Sequence, residues 1–175
     1  MKFSEFQRDI RIIKTSIDRL EIYFQVSCLK KSQKSMLNLQ HILPERVTCA
    51  DDISKTIIYM NSIQSICDAC DLFRVWMKGL KYFEDASKWV APFFADMAKN
   101  DKRRLCHQFA KVTSECFAPR ILIATDSYGL GIDNPDVQLV VQWLVPSSIQ
   151  KLYQRMGRAM RFGRKQARFL FLHSV

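Results

Sequence analysis

Acidic residues are missing from the end of the chain: Val137 to Val175 holds seven Lys or Arg and neither Asp nor Glu. Long apolar runs are missing as well. No stretch approaches the about 18 residues that a membrane span needs, which argues against a membrane partner. The first residues, Met1 to Arg11, alternate charges with Phe3, Phe6 and Ile10 and contain no apolar signal-peptide core, so the expected protein is not secreted. A cysteine framework is also lacking. The six cysteines, Cys28, Cys49, Cys67, Cys70, Cys106 and Cys116, are scattered in a way that suits reduced thiols. Cys67-x-x-Cys70 sits inside an amphipathic helical pattern, and Cys106 and Cys116 do not supply the second pair that a zinc site requires. His41, His107 and His173 are isolated and form no nucleophile–base arrangement. No metal site is expected.

What is present is a chain of 175 residues, 48% hydrophobic and 25% charged, long enough for one domain with a real core. Its net charge of +10 and pI near 9.5 point to polyanionic partners. The excess is local: residues 49–136 carry eleven basic and twelve acidic groups, whereas the tail carries seven and none.

Within that tail, Ser147 or Ser148 after Pro146 is a candidate cap for a helix. At about 100° per residue, Ile149, Leu152, Tyr153, Met156 and Met160 fall on one face, the expected apolar face, and Gln154, Arg158 and Arg161 fall on the other. Two guanidinium forks side by side repel unless an anion lies between them, and their planar donors suit phosphate oxygens. Gly157 leaves room for close approach of a ligand or another backbone.

Upstream, apolar runs alternate with helical patterns. Strands are expected at 20–26, 56–60, 89–94, 120–124, 138–143 and 167–172. Helices are expected at about 33–43, from Asn61-Ser62 through Met77, at about 99–111 and after Pro146. About six such strands imply an α/β fold: an open, mostly parallel sheet with helices on both faces. Pro92 makes the third strand the poorest fit of the six. Ligands of such sheets sit beyond the carboxyl ends of the strands, which here are Asn61-Ser62, Asp96, Thr125-Asp126 and the loop before the basic helix. The stretch from Thr125 to Val137 opens through Gly129 and Gly131 and then presents Asp133 and Asp136. Its glycines offer bare N–H groups to phosphate, and Asp133 can accept from hydroxyls.

Ala124-Thr125-Asp126-Ser127-Tyr128-Gly129-Leu130-Gly131-Ile132-Asp133-Asn134-Pro135-Asp136-Val137 resembles motif V of the RecQ-like superfamily 2 DNA helicases. Tyr153-Gln154-Arg155-Met156-Gly157-Arg158-Ala159-Met160-Arg161, with its lead-in Pro146-Ser147-Ser148-Ile149, is similar to motif VI. Ile57-Ile58-Tyr59-Met60-Asn61-Ser62 is similar to motif IV, and Phe94 to Met97 with Arg103, Arg104 and Phe109 also fits. The likeness covers roughly residues 20–174 and implies the second RecA-like lobe, with residues 1–19 as a connector from an upstream lobe.

The resemblance implies ATP bound between two lobes, with Arg158 and Arg161 as arginine fingers and Gln154, Gly131 and Asp133 near the nucleotide. It implies single-stranded DNA beside Asn61, Ser62, Thr125 and Gly129. It further implies 3′-to-5′ unwinding, a part in DNA repair and recombination, and a nuclear place in a eukaryote or a cytoplasmic one otherwise.

Two features depart from the family pattern. Met160 stands where glycine is common, between the two fingers. No Gly-x-x-x-x-Gly-Lys-Ser/Thr loop and no Asp-Glu-x-His box occurs, so ATP and Mg2+ are expected to be held mainly by a first lobe, the implied partner in cis or in trans. The chain alone is then expected to hydrolyse no ATP. The rival expectation is a non-catalytic nucleic-acid-binding or interaction protein that retains the lobe fold. An RNA helicase lobe is a third, less favoured because the DEAD-box type usually begins motif VI with His where Gln154 stands.

Overall fold

A computed structural model describes residues 19, 21–80, 85, 88–111, 118–128, 134, 136–159 and 166–174. The expectations for the connector over 1–18 and for Gly129, Gly131, Asp133, Met160 and Arg161 lie outside the described residues.

Six strands form one sheet: β1 (Ile22–Cys28), β2 (Thr56–Tyr59), β3 (Val90–Phe93), β4 (Ile121–Ala124), β5 (Leu139–Trp143) and β6 (Ala167–His173). Their order is β1-β6-β5-β2-β4-β3, and every neighbouring pair is parallel. This is the RecA-like α/β arrangement. The central strands read as continuous apolar runs because both faces are covered. Along β2, Ile58 packs with Ile66, Ala69, Phe73 and Met77 of α1 (Ile63–Lys78). Ile57 and Tyr59 point the other way, into a second cluster with Leu105 and Phe109 of α2 (Lys99–Ala110) and with Leu152 and Met156 of α3 (Ile149–Met156). One helix therefore covers one face and two cover the other.

Pro92 lies in β3, at the edge of the sheet, where a missing N–H costs no ladder bond to a further strand. At the opposite edge β1 leaves Tyr23, Phe24 and Val26 exposed, which accounts for its only partial alternation.

The helix expected over 33–43 does not form as such. Two 3-10 turns, Gln33–Ser35 and Leu37–Ile42, replace it, broken by Met36 at φ 52°. Asn38 explains the interruption: its side chain accepts from the backbone N–H groups of Lys30 and Lys31 and donates to the Lys31 carbonyl, local bonds that compete with a continuous helix.

The amino ends of the central strands are tied by Lys55, only 2% exposed, whose ammonium meets both oxygens of Asp136 at 2.8 Å and lies 4.9 Å from the centroid of the Phe109 ring. Burial pulls the Lys55 pKa down, and the Asp136 carboxylate opposes this. This pair lies at the end of the sheet opposite the candidate site.

Candidate functional site

At the carboxyl ends of β2 and β4, polar side chains follow within two residues of the apolar strands. Beyond β2, Asn61 donates from Nδ2 to the Val145 carbonyl at 2.9 Å, and Ser62 caps α1 by accepting from the Ser65 N–H at 3.1 Å. Beyond β4, the hydroxyls of Thr125 and Ser127 share a hydrogen bond of 2.9 Å, and Asp126 points toward α3. Beyond β5, Leu144 takes a left-handed backbone, φ 64°, a conformation costing a branched side chain roughly 1–2 kcal/mol. Two bonds hold the turn: the Leu144 N–H donates to the Leu172 carbonyl at 2.8 Å, and Gln142 Nε2 donates to the Leu144 carbonyl at 2.8 Å.

Helix α3 closes the site. Ser148, one of the two expected caps, accepts from the Lys151 N–H at 3.3 Å. The buried face differs from expectation. Leu152 and Met156 pack inward as the periodicity predicts, but Ile149 and Tyr153 are 61% and 62% exposed, while Arg155 is 4% exposed.

The cause lies on the sheet. Arg155 donates from Nε to Asp126 Oδ1 at 2.8 Å, reaches the same oxygen from Nη2 at 2.6 Å, and donates from Nη1 to Gln142 Oε1 at 2.6 Å and to Asn61 Oδ1 at 3.4 Å. Its guanidinium carbon lies 5.1 Å from the centroid of the Tyr59 ring. Buried arginine is rare unless paired, so the sequence pattern reads Arg155 as one more surface cation. The signal that could have revealed it is Gln142, a fully buried amide inside an apolar strand that needs a polar partner.

Asp126 also pairs with Lys151 Nζ at 2.8 Å. Partial burial pushes its carboxyl up, but the bonds from Lys151 and Arg155 outweigh this and hold it below the usual range. Met60, Asn61, Thr125, Asp126, Ser147 and Lys151 surround a cleft of about 260 Å³, which Val145 and Arg155 complete. Of the residues expected beside a nucleic-acid strand, Asn61 and Thr125 line this cleft, and Ser62 follows Asn61 as a helix cap.

Gln154 is exposed, and Arg158 is half-buried just past the end of α3. The α-helix proper stops at Met156 with Gly157 as its cap, and the chain tightens: Arg158 N–H donates to the Arg155 carbonyl at 3.1 Å and Ala159 N–H to the Met156 carbonyl at 3.0 Å. Gly157 has φ −63°, and a Cβ there would rest 3.4 Å from the Tyr153 carbonyl, so the local backbone does not itself demand glycine. Arg158 lies near Tyr128, whose hydroxyl is pushed well above its ordinary pKa by burial, with the Arg158 charge opposing. The side-chain set is therefore donors and cations on the α3 side. Among the described residues no group of three or more His, Cys, Asp or Glu could hold a metal ion. Chemically, such a set of donors and cations suits phosphate oxygens.

A parallel sheet with a polar cleft and a basic helix at its carboxyl ends defines a RecA-like lobe as the class. Residues 34–163 match the family described as "Helicase conserved C-terminal domain", and the chain belongs to that family. It is thus a helicase C-terminal lobe of superfamily 2. It is 30% identical over 155 residues to ATP-dependent helicase wrn-1 of Caenorhabditis elegans, spanning 87% of this chain and 13% of that protein. It is 34% identical over 83 residues to ATP-dependent RNA helicase FAL1 of Eremothecium gossypii, spanning 47% of this chain and 20% of that one. Among solved structures, Mss116p DEAD-box helicase domain 2 bound to an RNA duplex superposes with a TM-score of 0.66 at 21% identity, over 88% of this chain and 55% of the other. The DUF1998 helicase MrfA bound to DNA and AMPPNP gives 0.63 at 15%, over 87% and 20%. The chain spans only a small part of these curated relatives' lengths.

Proposed function

We propose that this chain is the carboxyl-side motor lobe of a RecQ-like, ATP-dependent, 3′-to-5′ DNA helicase, following a connector over 1–19. In this reading Asn61, Ser62, Thr125 and Gly129 lie along single-stranded DNA, Gln154, Gly131 and Asp133 face the nucleotide, and Arg158 and Arg161 meet its γ-phosphate. One observation supports the proposal: a cleft lined by Asn61, Thr125 and Lys151 also contains an ion pair between Asp126, in the loop after β4, and Arg155, on the helix that bears Gln154 and ends just before Arg158. In this reading α3 links a strand site to a nucleotide site.

ATP bound by a first lobe, with Mg2+, supplies the phosphoryl group whose hydrolysis drives movement. The residues of this chain orient and neutralise. Arg158 brings a fixed cation to the lobe face, Gln154 brings an amide, and Lys151 places an ammonium at the strand cleft. The likeness to the DNA-bound MrfA agrees with the DNA reading, and the likeness to the RNA helicase FAL1 and to the RNA-bound Mss116p domain supports a second one, RNA as the tracked strand.

Fluorescence anisotropy with single-stranded oligodeoxythymidine and oligouridine of equal length tests both. The expected result is weak binding to the DNA strand that falls steeply with salt, because phosphate contacts dominate. Tighter binding of the RNA strand transfers the reading to RNA. Absence of binding to either, or binding insensitive to salt, overturns a strand-tracking function and leaves the non-catalytic interaction reading.

A further inference from the structure

We propose that Cys28 and His173 form half of a zinc site, completed by the same two residues of a second copy of this chain. The inference is independent of the function proposed above. The two residues lie at the carboxyl ends of the edge strand β1 and its neighbour β6. They stand 145 positions apart in the chain, so a histidine that is isolated in residue order is not isolated in space.

The spacing is that of two metal ligands. Cys28 and His173 are in register on parallel strands, and the Leu29 N–H donates to the His173 carbonyl at 2.8 Å, which fixes the two backbones against each other. Cys28 Sγ then stands 3.4 Å from His173 Nε2. Around a tetrahedral zinc, bonds of about 2.3 Å to sulfur and about 2.0 Å to nitrogen place the two donors about 3.5 Å apart.

The other ring nitrogen identifies the atom that is free to bind. His173 Nδ1 lies 3.3 Å from the Ser174 carbonyl. A carbonyl only accepts, so this contact puts the ring proton on Nδ1 and leaves the lone pair on Nε2, facing Cys28. A ring N–H given to a carbonyl is the usual outer support of a histidine that ligates metal through its other nitrogen. The Phe171 ring packs beside the imidazole, with centroids 5.6 Å apart. Cys28 is exposed and His173 half-buried, so an ion can reach both from solvent.

A structural zinc takes four ligands, and this pair supplies two. Among the described residues no group of three or more His, Cys, Asp or Glu comes together, so a second pair has to be brought to the first. The strand face beside it favours another copy of the chain. Phe24, Val26 and Cys28 alternate along β1 and share one face, on which Phe24 is 46% and Val26 51% exposed. Phe24 stacks on Phe169 with centroids 5.3 Å apart, and Val26 is in register with Phe171. An apolar strip leading to half a ligand set is self-complementary: a two-fold axis along the strands brings strip onto strip and pair onto pair. Two thiolates cancel the charge of one Zn2+, so the shared ion adds no net charge where two chains of +10 meet. Each thiol gives its proton to solvent as the metal binds.

The test adds Zn2+ to the 175-residue chain under a reductant that does not bind metal, counts bound metal after gel filtration, and follows mass by sedimentation velocity. Co2+ replaces Zn2+ in a parallel titration, because its charge-transfer and visible bands report thiolate ligation and tetrahedral geometry. The expected result is one ion per two chains, a dimer that forms with the metal and is undone by a chelator, and a tetrahedral cobalt spectrum with thiolate ligation. Cys28→Ser and His173→Gln, each checked for folding by circular dichroism, are expected to weaken binding about tenfold or more and to leave the chain monomeric. Cys28 is exposed, so serine there leaves the core untouched and reads the site even where His173→Gln does not fold. One ion per chain with no change in mass shows a pair that no second copy completes, and overturns the proposal. Metal binding that survives Cys28→Ser overturns it by placing the ion elsewhere. Absence of binding leaves the contact a plain thiol–imidazole hydrogen bond and overturns it as well.

Discussion

Arg155 places two of its nitrogens on a single oxygen of Asp126, at 2.8 and 2.6 Å, and so joins α3, within the basic tail, to the loop that follows β4. The pair is lopsided: the arginine side chain is 5% exposed and the aspartate 42%. Breaking it from either side therefore has different consequences, because a buried cation left alone costs more than a half-exposed carboxylate left alone.

The first expected outcome follows from that asymmetry. Arg155→Ala should destabilise the chain by about 2 kcal/mol, below the about 3–5 kcal/mol of a fully buried pair, since water can still reach Asp126. Asp126→Ala should cost more than Arg155→Ala. Urea unfolding measured on both variants checks the order, and equal values would show that the burial difference has no energetic weight.

Acid stability reports a different carboxylate. Asp52 accepts from the backbone N–H groups of Thr48 and Cys49 and from the Thr48 hydroxyl, which together hold its pKa down at about 2. A carboxyl whose folded pKa is depressed contributes stability above its unfolded value of about 3.9, and loses it as pH falls toward the folded value. Asp126, also lowered, acts in the same direction. Melting temperature should therefore drop as pH falls from about 4 to about 2, and Asp52→Asn should flatten part of that slope.

Strand binding should respond to Lys151 in a particular way. If its ammonium meets a phosphate, Lys151→Gln weakens binding of all sequences alike and lowers the slope of log affinity against log salt by about 1. An unchanged slope would place the strand elsewhere on the chain.

In the proposed reading, hydrolysis needs a first lobe, supplied by fusion or within a longer protein. The isolated chain should show no ATP turnover. With the lobe present, Arg161→Ala should lower the rate by about 10³-fold or more while ATP affinity changes much less, because a finger acts on charge that develops in the transition state. A solvated surface arginine predicts an effect of about 0–1 kcal/mol instead. Steady-state rates and nucleotide binding measured on the same preparations separate the two.

Much of this protein could be read from residue order alone. Apolar runs such as Ile121 to Ala124 and Leu139 to Val141 are too continuous to be half-exposed, so a parallel sheet covered on both faces follows from them, and polar residues such as Thr125 and Asp126 mark the edge at which ligands of such sheets sit. The strand that Pro92 fits least well forms because it lies at the sheet edge, a position residue order alone did not assign. Local bonding then overrode periodicity at Asn38, where side-chain amide contacts with Lys30 and Lys31 break a helix into 3-10 turns.

Only the tertiary structure decided which side of α3 is buried. Periodicity sorts residues by their affinity for water and so turns Ile149 and Tyr153 inward, while it places Arg155 on neither face. The sheet reverses that choice because it presents a carboxylate, two amide oxygens and an aromatic ring at one point, and these compensate the desolvation of a guanidinium. The partners stand at positions 59, 61, 126 and 142, far apart in the chain. Their convergence is a property of strand order, which no local pattern encodes.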